Sequence, residues 1–170
     1  MSTHQEADRM VTLRALLDNL LADGLLSRED VQRISSQSRT KTEAEQHPLN
    51  YIADQQLENR RHAGHKLSLS VLLTWFAATA DQAVAHLDPM KIDTRAVTAV
   101  MSFAFAKRHN ILAVEVNSDE VIIASSQPFI NSWEGNLAQV LQKRIVRVVA
   151  NPADIKRYSV EFYTLVSSVS

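Results

Sequence analysis

Between Ala7 and Ala22 the apolar residues Met10, Leu13, Leu16, Leu17, Leu20 and Leu21 recur at steps of three and four, the stripe of an amphipathic helix. Gly24 follows as a C-terminal cap, and Ser27, answered by Asp30 three residues on, opens a second helix to about Ser36. The polar run SSQSRTKTEAEQH has no apolar face and reads as a linker. Pro48 then sits at a first helical position ahead of Leu49, Ile52 and Leu57, and Ser68 or Ser70 opens a helix carrying Leu69, Leu72, Trp75 and Phe76. A short strand is predicted over Val84–Leu87, broken by Pro89, and Asp93 caps one helix running on to His109.

Period-two alternation begins at Ile111. Leu112, Val114 and Val116 alternate with Ala113 and Glu115, the residues Asn117, Ser118 and Asp119 turn the chain, and Val121 and Ile123 resume. A helix over 131–143 leads to a third strand, RIVRVVA, whose β-branched residues favour a pleated surface. Asn151 and Pro152 start a last helix with an apolar stripe of Ile155, Tyr158, Phe162, Leu165, Val166 and Val169. The pattern describes an α+β chain: a helical subdomain over 1–38, a linker over 39–48, and an α/β domain over 49–170 with three or four strands flanked by helices.

Composition narrows the chemistry. Eighteen Lys and Arg against nineteen Asp and Glu leave a net charge of -1, so no global charge favours nucleic acid. Cysteine is absent, which excludes disulfides, thiol nucleophiles and Cys-ligated zinc. The start of the chain lacks the pattern of a signal peptide, and its apolar runs are too short for a membrane span, so a cytoplasmic location is expected. With three glycines, Gly24, Gly64 and Gly135, no phosphate-cradling loop can be written, and the segment is expected not to be an enzyme.

Local clusters carry what remains. Arg60, Arg61 and Lys66, with His62 and His65 between them, form a basic loop suited to a phosphate or an acidic surface. Two histidines without a third ligand do not make a metal site. Ser125 and Ser126 lack the sharp elbow of a serine nucleophile, and His86 and His109 lack an orienting partner at a recognisable spacing. No catalytic, cofactor-binding or metal-binding residues are therefore assigned.

Four segments together, HPLNYIADQQL, HLDPMKID, VMSFAFAKRHNILAVEVNSDEVIIASSQPF and RIVRVVANPADIKRYSVEFY, resemble the amino-terminal region of type II secretion and type IV pilus assembly ATPases, the secretion E-protein family with its MshEN-like domain. The family pattern ILPV, turn, then V-x-IA-x-x-x-PF is kept at Ile111, Leu112, Val114, Val121, Ile123, Ala124, Pro128 and Phe129, with Ala113 in place of the usual proline. The resemblance implies the front part of a hexameric motor whose ATP- and Mg-binding domain would follow Ser170. It further implies a non-catalytic docking module for the cytoplasmic domain of an inner-membrane platform protein, and hence a peripheral position at that membrane. Leu16, Leu20, Gly24, Leu25, Leu26, Arg60 and Arg61 are the expected partner-binding residues.

Some relatives bind cyclic di-GMP through a motif resembling RLGxxLLxxGLLxxxxLxxxLxxQ. Aligned on Gly24, this chain keeps Leu16, Leu20, Leu21, Leu25, Leu26 and Val31 but has Ala15, Leu17 and Ser38 for the motif's arginine, first glycine and glutamine. Arg14 and Gln37 are each one residue out of register, about 100° around a helix. Arg14, Gly24 and Gln37 are the alternative nucleotide-binding residues, and cyclic di-GMP is not the expected ligand.

Overall fold

The computed structural model describes residues 7–168, so Val169 of the apolar stripe lies outside them. Its contacts divide the chain into a helical unit, Val11–Phe76, and an α/β unit made of residues 7–10 and 77–168. The division falls at Phe76, not in the segment 39–48.

In the helical unit, α1 (Leu13–Ala22) starts where the Thr12 side chain accepts a hydrogen bond from the N–H of Ala15. The helix predicted from Ala7 is therefore shorter. Asp8 and Arg9 belong to the α/β unit and are bonded to its residues 129–132, which ties the chain down before Thr12. At its far end the N–H of Gly24 bonds to Leu21 O and that of Leu25 to Leu20 O, with Gly24 at φ +77. This paired closure needs a left-handed residue, which glycine supplies without a steric cost.

Ser27 caps α2 (Arg28–Ser36) through the N–H of Asp30. The supposed linker holds a short helix, α3 (Lys41–Glu45), because Thr40 and Glu43 form a reciprocal capping box that holds a helical turn with no apolar face to bury. Pro48 opens α4 (Pro48–Asp54), and Ser68 precedes α5 (Leu69–Thr79). Leu16, Leu17, Leu20, Ile34, Leu49, Ile52, Leu72 and Phe76 are buried and make this unit's interior.

The α/β unit has four strands: β1 (Ala83–Val84), β2 (Ile111–Val116), β3 (Glu120–Ser125) and β4 (Arg144–Val149), in the order β1-β4-β3-β2. β2 and β3 are antiparallel, as the hairpin pattern predicts, whereas β4 runs parallel to both β3 and β1. The parallel step from β3 to β4 is made through α8 (Glu134–Leu141), the crossover that parallel neighbours require. β1 is shorter than predicted, since Asp88 caps a 3-10 turn at Pro89–Lys91 that ends the extended run.

The helix predicted from Asp93 to His109 is two: α6 (Thr94–Thr98), capped by Asp93, and α7 (Phe103–His109), capped by Ser102. Ser102 competes for the backbone, accepting from the N–H of Phe105, and so restarts the helix rather than continuing it. Asn110 closes α7 in the left-handed region, and β2 begins at the next residue.

The register of β2 shifts between Ala113 and Glu115, so alternation fails there and Ile111, Leu112 and Ala113 are all buried. α9 (Pro152–Ser168) lies across β2 and β3 and against α6 and α7. It buries Ile155, Tyr158 and Phe162, while Leu165 of the predicted stripe is 53% exposed. Among the described residues no helix is long and apolar enough to cross a membrane.

Candidate functional site

The basic loop of the helical unit is a closed, well-anchored structure. Buried Leu57 and Leu67 mark its base, where the N–H of Leu67 bonds to Leu57 O at 2.8 Å and Glu58 pairs with Lys66. Asn59, 2% exposed, organises the turn: its N–H reaches His65 O, its carbonyl accepts from His62 and its side-chain oxygen accepts from the N–H of Arg61. A buried asparagine with its backbone and side chain so engaged fixes the loop without an apolar core. Gly64, at φ +83, provides the reversal.

The loop is tied to the end of α1. The N–H of Arg60 bonds to Leu25 O at 3.0 Å, and the guanidinium of Arg61 donates to Asp23 O. The Asp23 carboxylate in turn accepts from Trp75 Nε1 at 2.7 Å. Arg60, Arg61, His62, His65 and Lys66 are all exposed. Asn59, His62, His65, Lys66, Ser68 and Val71 line an open groove of about 410 Å³. This arrangement offers positive charge at fixed positions beside a small apolar floor at Val71, which suits a carboxylate-bearing surface.

The rings of His62 and His65 are edge to face, 6.3 Å apart. Among the described residues no group of three or more His, Cys, Asp or Glu is placed to hold a metal.

The other expected partner residues are placed differently. Leu16, Leu20, Leu25 and Leu26 are at most 4% exposed and fill the unit's own interior. The helical stripe is apolar because it closes this core, so these side chains do not form an open apolar face. Gly24 serves the helix end.

Of the alternative nucleotide residues, Arg14 is exposed and paired with Asp18 at 3.4 Å, and Gln37 accepts from the Tyr51 hydroxyl. Leu17, where the motif has glycine, is fully buried. Asn59 and Asp23, which position the loop, were not singled out by sequence; a lone Asn and Asp in polar surroundings carry no periodic signal.

Comparison with known proteins places this geometry in context. The MshEN domain description matches residues 80–167, just over half of the chain. A type IV pilus assembly ATPase, TfpB of Acinetobacter baylyi (strain ATCC 33305 / BD413 / ADP1), is 35% identical over 154 residues, covering 90% of this chain. The chain spans 26% of the length of that relative.

Among solved structures, that of MshE with cdg matches 87% of this chain and 98% of its own at a TM-score of 0.53 and 16% identity, a likeness of fold. The N-terminal domain of XpsE matches 89% of this chain and 96% of its own at 12% identity and a TM-score of 0.48. The basic loop lies outside the MshEN match.

Proposed function

This chain belongs to the MshEN domain family, and on that footing we propose that it is a non-catalytic docking domain of a type II secretion or type IV pilus assembly ATPase. Its partner is the cytoplasmic domain of an inner-membrane platform protein, through which the domain holds the motor at that membrane. ATP and Mg bind in the motor part of the longer, hexameric protein. The observation that carries the reading is the basic loop, five exposed cationic or titratable side chains on a turn locked by Asn59 and Asp23. Rim charges of this kind steer association and set its salt dependence.

The test is binding of the cytoplasmic part of the membrane partner to the chain, measured at low and high salt. Arg60→Glu combined with Lys66→Glu should slow association and flatten the salt dependence while the fold is retained. Unchanged association kinetics in that variant would remove the loop from the interface.

The likeness of fold to MshE with cdg supports a second reading, a cyclic di-GMP sensor built on the helix pair around Gly24. Calorimetric titration separates the two. Micromolar binding lost on Arg14→Ala favours the sensor, and no heat of binding favours docking alone.

A further inference from the structure

We propose that the turn leading into α8 is a binding site for a phosphate group, with the chain's own Asp8 as its built-in competitor. The site lies in the α/β unit, apart from the basic loop, and stands independently of the docking reading. Asp8 Oδ1 accepts from two successive backbone amides, Asn131 N at 2.7 Å and Ser132 N at 3.2 Å. The Ser132 hydroxyl also bonds the carboxylate; with the amides and the nearby Arg147 guanidinium, it holds Asp8 below the usual carboxylate range. Converging amides at the entrance to a helix favour an anion.

Arg147 supplies the second, independent observation. Its side chain is 8% exposed, it bonds to the Asn131 side chain, and its guanidinium lies over the Trp133 ring at 4.9 Å. Glu134 is the nearest carboxylate to it, at 3.7 Å, outside hydrogen-bond range. Nε and Nη2 of Arg147 are buried with no hydrogen-bond partner among the described residues. Burying a guanidinium with open donors is costly, and such a group calls for an acceptor that Asp8 does not provide.

Donor counting selects the ligand. Asp8 places a single oxygen on both amides and leaves the arginine's remaining edge unused. A phosphate has oxygens enough to meet the amides, the Ser132 hydroxyl and the guanidinium together, and its greater charge outweighs the opposing Glu134. The occupant is exchangeable because Asp8 itself is exposed. Its segment is also held by the N–H of Arg9 on Phe129 O at 3.3 Å and by the Arg9 guanidinium over the Phe129 ring at 3.9 Å.

The experiment follows the backbone amide signals of Asn131 and Ser132 in the 170-residue chain during titration with inorganic phosphate and, separately, with phosphoserine. The tighter of the two tells whether free phosphate or a phosphate ester is the natural source. In Asp8→Asn both amides should shift saturably, with affinity at least about tenfold above wild type, the scale of one charge-assisted hydrogen bond. Adding Arg147→Lys, which keeps the charge and loses the fork, should reverse the gain. If that variant fails to fold, Ser132→Ala at its exposed position takes its place and should weaken binding severalfold. Amides in folded Asp8→Asn that ignore both ligands, or that respond as they do in wild type, would overturn the proposal.

Discussion

Replacing Leu20 by alanine tests whether the leucine stripe of α1 is interior or interface. Leu20 has no exposed surface and sits among Leu16, Leu17 and Ile34 in the interior of the helical unit. Truncation removes the transfer free energy of the lost carbons and leaves a cavity that the helices close only in part, together about 2–5 kcal/mol. Residues 11–76 at about 0.05–0.15 kcal/mol per residue hold roughly 3–10 kcal/mol, so this one change removes a large fraction of it.

For a unit of this size the loss corresponds to a fall in Tm of very roughly 10–30 °C. Urea unfolding read from the two indole N–H signals reports each unit separately. Trp75 is tied to Asp23 at the end of α1, and Trp133 to Ile130 O in the α/β unit. Leu165→Ala, at a 53% exposed position, is the control and should change stability by less than about 0.5 kcal/mol. If Leu20→Ala leaves the Trp75 transition where wild type has it, the burial argument is wrong and the stripe is open to a partner after all. If it does not, loss of partner binding in polar variants of Leu20 or Leu25 reports unfolding.

Two further outcomes follow from local chemistry. Ser102→Ala removes the cap that separates α6 from α7 and should cost the α/β unit about 1 kcal/mol in urea unfolding, with Ser102→Gly recovering most of it. Burial, then the neighbouring Arg108, lowers the pKa of His109 below its ordinary 6.5, against a smaller opposing pull from Asp8. The unfolded chain therefore takes up the proton first, so the stability contributed is complete above about pH 6.5 and is lost as pH falls through the folded value. His109→Gln should flatten the acid side of the stability profile; an unchanged slope below pH 6.5 would exclude His109 as its source.

The parts of the fold legible in the sequence are those fixed by neighbours along the chain. The 111–125 hairpin, β4, the proline starts of α4 and α9 and the caps at Ser27 and Asp93 need only a few consecutive residues to declare themselves. The misses need partners far away or a choice between near-equal local options. Asp8 binds residues 123 and 124 positions distant, and that contact shortens α1. Ser102 breaks a run whose apolar spacing alone reads as continuous.

The bulge in β2 hides inside an apparently regular alternation, and the linker reading overlooked the Thr40–Glu43 box. The leucines of α1 show the limit most plainly. Periodicity says that one face is covered, and three-dimensional packing says that the cover is this unit itself. Arg147 reads in sequence as one polar position in a strand, and only the structure makes it a buried cation with open donors.

The two-residue strand β1 has an outsized role for its length. By pairing with Val148 and Val149 it occupies the last third of the open margin of the six-residue β4, and Arg144, 76% exposed, places a charge at the other end. Without Ala83 and Val84, a valine-rich ribbon with unpaired amides and carbonyls would be available to an identical ribbon on a second molecule, the geometry from which aggregates grow. Versions of this protein that begin downstream of Val84 should therefore self-associate as their concentration rises, while those that retain it stay dispersed.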